Sequence, residues 1–343
     1  MTVLLRILPL VLAFAGLPNP SVLAGGASIG TPYSISKRLS PGDHFMGITL
    51  RGALRVIPQE LNGLKPRELS GLAWDKDENR LYALSDDGHI VHLRPTFIAE
   101  TLIGLEYVDA FTLQNAAGVP LDATFGDGEG LVGYNTRNSI LADSSLLVSF
   151  GEHARIDRYL PDGTFVEQIN LPRALSGKNT SKENKLELEA ISDHRVHGLI
   201  AGPERPLKGT SEGKFTLHNL DEKVWEYSPL DEKYSALVGM ESMQNGDLLL
   251  LERRYSSIFK PVIFALRRLV LSDDNVRQAT VVEEVAHFNT KKGWKIDNFE
   301  SVARHEGNRY FVISDDNENP IQKTLLLYFE IHSDTAANTK VAR

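Results

Sequence analysis

The sequence predicts an all-β fold: a single β-propeller of five or six four-stranded blades, its ring closed by an N-terminal strand. Three observations predict it. A segment headed by glutamate recurs about every 50 to 60 positions along the chain. Each recurrence reads as strand, turn, strand, with turn-forming residues between two apolar runs. The last recurrence is one strand short, and an apolar run near the N-terminus can supply what is missing.

In chain order, the first element is an expected export signal. Arg6 is the only charge in residues 1–24, and the apolar run Ile7 to Leu17 follows it. Pro18 and Pro20 break that run, and Val22-Leu23-Ala24 before Gly25 has the small residues of a cleavage site. The expected organisation is a signal peptide over 1–24, an extension over 25–44, the propeller over 45–333 and a tail over 334–343. That organisation implies a periplasmic or secreted protein. The run Phe45 to Val56 is the spare strand.

The five units then follow, each with a glutamate at its head and an acid where its second strand ends. Glu68-Leu69-Ser70-Gly71-Leu72 leads to Asp86-Asp87, and Glu129-Gly130-Leu131-Val132 leads to Glu152. Glu189-Ala190-Ile191-Ser192 leads to Glu204, and Glu241-Ser242-Met243 leads to Glu252. Glu300-Ser301-Val302-Ala303 leads to Asp315-Asp316. Runs such as Leu248 to Leu251 and Tyr310 to Ile313 are apolar without alternation, as expected of strands covered on both faces between blades. His89 to Arg94, Leu105 to Leu113, Arg155 to Leu160, Phe165 to Ile169, Phe215 to Leu220 and Val224 to Tyr227 read as outer strands. So do Val262 to Leu271, Thr280 to Phe288 and Thr324 to Ile331. The polar stretches Ala174 to Asn184 and Glu204 to Lys214 read as loops near one mouth.

Composition narrows the function. At 42% hydrophobic and 24% charged residues, the chain has the make-up of a soluble globular domain. Beyond the N-terminus no apolar stretch reaches the ~18 residues of a membrane-spanning helix. With no cysteine, disulfides and thiol lipidation are excluded. A net charge of −8 argues against a nucleic-acid partner, whose phosphates require a basic face.

In an antiparallel hairpin the start of the first strand and the end of the second lie at the same edge. In a propeller those edges converge on one mouth, so the head glutamates and the distal acids are expected to form one acidic rim. Glu68, Asp86, Glu129, Glu189, Glu241, Glu300 and Asp315 are the candidate metal ligands. Calcium suits such a site because it accepts six to eight oxygen ligands in flexible geometry. Glu129, Glu152, His153, Arg155, Glu204, Arg205, Glu252 and Arg253 are the candidate catalytic groups, with Arg254, Asp87, Asp316, Asp127 and Asp297 close by in sequence. Arginines there can pair with carboxylates or grip an anionic substrate. Asp and Glu at hairpin ends are also ordinary solvated residues, so the five-fold recurrence is what singles these out.

Other chemistries lack their signatures. Ser149 has Val148 before it and no leading glycine, so there is no nucleophile elbow. His305-Glu306 is followed by Arg309 where a zinc-binding histidine is needed. No phosphate-cradling or dinucleotide-binding glycine pattern occurs.

Several segments together resemble one family. They are Glu68-Leu69-Ser70-Gly71-Leu72 with Ser85-Asp86-Asp87-Gly88, Asp127-Gly128-Glu129-Gly130-Leu131, and Glu252-Arg253-Arg254. Asp297-Asn298-Phe299-Glu300-Ser301-Val302, Ser314-Asp315-Asp316-Asn317 and the run Gln322 to Phe329 complete the set. As a set, over residues 45–331, they are similar to the phytase-like propellers labelled "esterase-like activity of phytase". Ser301 and Ala190 stand where that pattern often has glycine. The resemblance implies an exported propeller similar to calcium-dependent phytases, hydrolysing phosphate or other esters. The leading expectation is a calcium-dependent hydrolase of phosphate esters first and carboxylic esters or lactones second. A non-catalytic periplasmic propeller that binds a ligand or protein is the alternative, since this fold hosts many functions.

Overall fold

A computed structural model describes residues 28–332, apart from 58, 66, 123, 152, 177–186, 256–259, 272–280, 318 and 320. The expected signal peptide and C-terminal tail lie outside the described residues, as does Thr280, the start of one expected strand.

The fold is all-β, with five blades, not six. Blade 1 is β4 (Leu69–Asp75), β5 (Arg80–Ser85), β6 (His89–Ile98) and β7 (Thr101–Thr112), each antiparallel to the next. Blade 2 is β8 (Gly128–Tyr134), β9 (Ser145–Phe150), β10 (Arg155–Tyr159) and β11 (Phe165–Ile169). Blade 3 is β12 (Ala190–His194), β13 (Gly198–Gly202), β14 (Phe215–Asn219) and β15 (Val224–Tyr227). Blade 4 is β16 (Ser235–Ser242), β17 (Leu248–Arg254), β18 (Ile263–Leu269) and β19 (Val282–Asn289). Blade 5 takes only β20 (Asn298–Arg304), β21 (Arg309–Asp315) and β22 (Leu325–Ile331) from the C-terminal part of the chain. Its outer strand is β3 (Ile48–Val56), which pairs with β22 from Ile48↔Ile331 to Arg55↔Leu325. The short strands β1 (Gly30–Pro32) and β2 (His44–Phe45) add to β3. The first and last strands of the described residues therefore meet in one sheet, and the ring has no open edge there.

The first strands β4, β8, β12, β16 and β20 neighbour one another around the axis, β20 returning to β4. Second strands are buried along almost their whole length, because a neighbouring blade covers each face. Each junction between blades has its own apolar cluster. Tyr82, Leu84 and Ile90 of blade 1, for example, pack on Leu131, Val148 and Phe150 of blade 2.

Two local devices position the axial ends of the first strands. Their pairing register slips by one residue at Ser70, Glu129, Val238 and Glu300. Such a slip is a β-bulge, which re-aims the extra side chain. Buried serines then stitch one blade to the next. Ser70 donates to the Gly128 carbonyl (2.7 Å), and Ser149 donates to the Leu188 carbonyl (2.6 Å) while accepting from the Gly130 N–H (3.0 Å). Ser301 accepts from the Leu72 N–H at 2.9 Å, joining blade 5 to blade 1. Among the described residues no helix is long and apolar enough to cross a membrane.

Candidate functional site

The strand-start mouth of the ring gathers carboxyl groups around one arginine. Arg253, near the end of β17, donates to Asn298 Oδ1 (2.6 Å), Glu300 Oε1 (3.3 Å) and Glu204 Oε1 (3.3 Å). Asn298 Nδ2 also donates to Glu300. Burial opposes the charge on Arg253, but Glu300, Glu204 and Glu189 outweigh it and hold its pKa above the ordinary arginine value. Glu187, Glu189 and Glu204 offer three carboxylate oxygens within 4.8 Å of one another. Glu204 also hydrogen-bonds the Glu187 carboxylate, an interaction that raises the Glu204 pKa because Glu204 makes it by carrying the proton and donating it.

The acids are electrostatically overcrowded. Asp86, at the end of blade 1, has its pKa pushed up to about 9 by burial and by the charges of Glu300, Glu129 and Asp315. Its Oδ1 is buried with no partner. Burial raises Glu300 to about 8 against the pull of Arg253. It raises Asp315 to about 6, with Asp316 adding to the effect. Glu189 is raised well above the carboxylate range by burial, then by Glu129, Glu204 and Glu300. Glu129 occupies the bulge in β8, and its carboxylate lies where a side chain at position 151 would sit, so any residue larger than Gly151 there would push that carboxylate aside.

The donor set is all oxygen, anionic and short of positive charge, with a buried oxygen left unpartnered. These residues fit a hard divalent cation such as calcium, which would neutralise the crowding.

Several sequence expectations have to be corrected on position. Glu241 is not at this mouth. It pairs with Leu249 near the hairpin turn of blade 4 and accepts from the Arg304 N–H (3.1 Å) at the opposite end of the axis. In blade 4 the position matching Glu129 and Glu300 is Val238. Glu252 alternates with Arg253 along β17, so its side chain takes the other face. There it is fully buried against Arg267 (2.6 Å) and the Leu230 N–H (2.6 Å). Arg254 is held by Asp231 at 2.8 Å. His153 stacks on the exposed Phe125 ring, and Arg155 bonds Asp157 (2.8 Å) and covers the Phe150 ring. None of these joins the Arg253 cluster. Glu68 does reach the rim: its carbonyl accepts from the Asp86 N–H at 3.0 Å. Arg205 stands at the edge, 3.6 Å from Glu204. Glu152 lies outside the described residues.

Sequence reasoning missed Ser70, Glu187 and Asn298. A signal was present: Asp127-x-Glu129, Glu187-x-Glu189 and Asn298-x-Glu300 share a polar residue two positions before the glutamate.

A family model described as "Phytase-like: Esterase-like activity of phytase" matches residues 67–318, more than two thirds of the chain. No curated protein matches.

Proposed function

Because the chain belongs to the phytase-like family described by the esterase-like activity of phytase, we propose that it is an exported, calcium-dependent ester hydrolase. Its substrates are phosphate esters first, carboxylic esters or lactones second. The observation that carries this reading is the Arg253 cluster, where buried carboxyl groups are raised in pKa because their charge lacks compensation.

Asp86, Glu129, Glu189, Glu300 and Asp315 would hold the calcium ion. The ion supplies Lewis-acid polarisation of the ester. Arg253 and Arg205 are the groups that grip an anionic substrate and balance charge developing on its oxygens. Glu204 carries the proton of its hydrogen bond to Glu187 and sits between both arginines. It is the proton donor to the departing alkoxide, its pKa raised above the ordinary carboxyl value by burial, which favours its protonated form. The carboxylate left behind then takes a proton from the attacking water, restoring the starting state.

The test is calcium calorimetry together with turnover of a panel of aryl phosphate, carboxylic ester and lactone substrates. Chelation should abolish turnover and calcium should restore it. Glu129→Gln and Glu300→Gln should each weaken calcium binding and lower turnover by at least about tenfold, since each removes a charged oxygen from the site. A folded protein with no calcium-stimulated turnover across the panel sinks the hydrolase reading. Calcium binding without turnover would favour a ligand-binding propeller instead.

A further inference from the structure

The opposite end of the axis has the reverse character. A cavity of about 410 Å³ opens there, lined by residues from the far ends of all five first strands: Trp74, Gly133, Asp193, Glu241, Ser242 and Arg304. Arg137, from the turn after β8, and Arg195, from the turn after β12, complete its wall. An adjoining cavity of about 390 Å³ shares Arg137 and Arg304 and adds Lys76 and Arg309 opposite a single acid, Glu306.

Across the two cavities five cations face three acids, Asp193, Glu241 and Glu306. Glu241 spends its oxygens on the backbone N–H groups of Ser242 (2.8 Å) and Arg304 (3.1 Å). Arg137 donates to the His305 carbonyl (2.8 Å) and to the Arg304 carbonyl, which fixes it beside a second guanidinium. Arg304 Nε is buried with no hydrogen-bond partner, and so is Nε1 of Trp74, a residue that is 5% exposed. Both atoms can only donate. Burial first, then the adjacent Arg304, lower the pKa of Arg137, against the pull of Glu241, Glu306 and Asp75.

We infer that this turn-side mouth is a second binding site, for a small, multiply charged oxyanion held by Arg137, Arg195 and Arg304. The ligand carries phosphate or several carboxylates, because planar guanidinium forks match both groups and three arginines line the cavity. The cavity has the size of an ordinary small-molecule site. Such a site is independent of the acidic mouth, because the two lie at opposite ends of the first strands.

Calorimetry and thermal-shift titration of the calcium-free protein test it, with inorganic phosphate, pyrophosphate and citrate as probes and sodium chloride at matched ionic strength as control. At least one probe should bind saturably and raise Tm, while chloride does not, and the probe that binds best identifies phosphate or carboxylate chemistry. Arg195→Gln with Arg304→Gln should weaken that binding at least tenfold and leave calcium affinity within twofold of wild type. If the double variant is unfolded by circular dichroism, Arg195→Gln alone, at an exposed side chain, should still weaken binding several-fold. Absence of saturable binding overturns the inference. So does binding that survives these substitutions but is lost in Arg253→Gln, which would place the anion at the acidic mouth.

Discussion

Glu252 and Arg253 are consecutive on β17 and face different worlds. Arg253 holds the carboxyl cluster at the mouth, whereas Glu252 is fully buried against Arg267 and the Leu230 N–H. Strand alternation makes that inevitable, yet which of the two faces the axis depends on which face of the blade a neighbour covers. Glu252→Gln should therefore act on stability: leaving Arg267 buried without its partner costs about 3–5 kcal/mol. Denaturant unfolding should show that loss, while calcium affinity stays unchanged; a large drop in calcium affinity with normal stability would return Glu252 to the site. Glu241 makes the complementary point. It satisfies the sequence pattern as well as Glu129 does, but the pairing Glu241↔Leu249 puts it at the other mouth. A glutamate followed by a small residue does not carry its own register.

At the scale of the element, the bulges and serine stitches decide where the acids converge. Ser70, Glu129, Val238 and Glu300 occupy the slipped positions, so the structural repeat is headed by different residue types in different blades. Around Glu129, Ser149 ties blade 2 to blade 3 by accepting from Gly130 and donating to Leu188. Gly130 is needed beside it, because a Cβ there would lie 2.5 Å from Ser149 Oγ and 2.9 Å from the Glu189 carbonyl. Ser149→Ala should destabilise the protein by about 1–3 kcal/mol, since it strands a buried N–H and a buried carbonyl. Because the stitch sits between the strands bearing Glu129 and Glu189, calcium affinity should fall as well. Tm and calcium calorimetry on one preparation check both effects, and an unchanged Tm would show that the stitch is dispensable.

The whole molecule ties stability to pH and to ring closure. Asp86, Glu300 and Asp315 have folded pKa values of about 9, 8 and 6 against ordinary values of 3.8, 4.5 and 3.8. The folded chain therefore holds protons that the unfolded chain has already released, and stability falls as pH rises through these values. Calcium-free protein should lose Tm steadily from about pH 5 to about pH 9, the reverse of a protein whose acids are salt-bridged. Calcium should restore Tm most at the alkaline end and release protons on binding, which buffer-dependent calorimetry detects. A flat Tm across that range in chelator would contradict the crowding. Closure offers a second global test: deleting residues 28–56 removes the outer strand of blade 5 and bares the edge of β22. The truncated chain should fail to unfold cooperatively and should aggregate, and a sharp transition with a monomeric elution would show that four complete blades suffice. The amino-acid sequence alone determined the all-β class, the strand order and the closing N-terminal strand, because alternation, turn residues and burial on both faces are local properties of the chain. It also marked Asp86, Glu129, Glu189, Glu204, Arg253, Glu300 and Asp315, which sit where strands begin or end. Only the tertiary structure decided the blade count, sent Glu241 to one mouth and kept Glu129 at the other, buried Glu252, and set the arginines of the turns around a cavity of their own. Register and packing are relations between strands far apart in the chain, and a one-residue slip in pairing re-aims every side chain without changing a letter of the sequence.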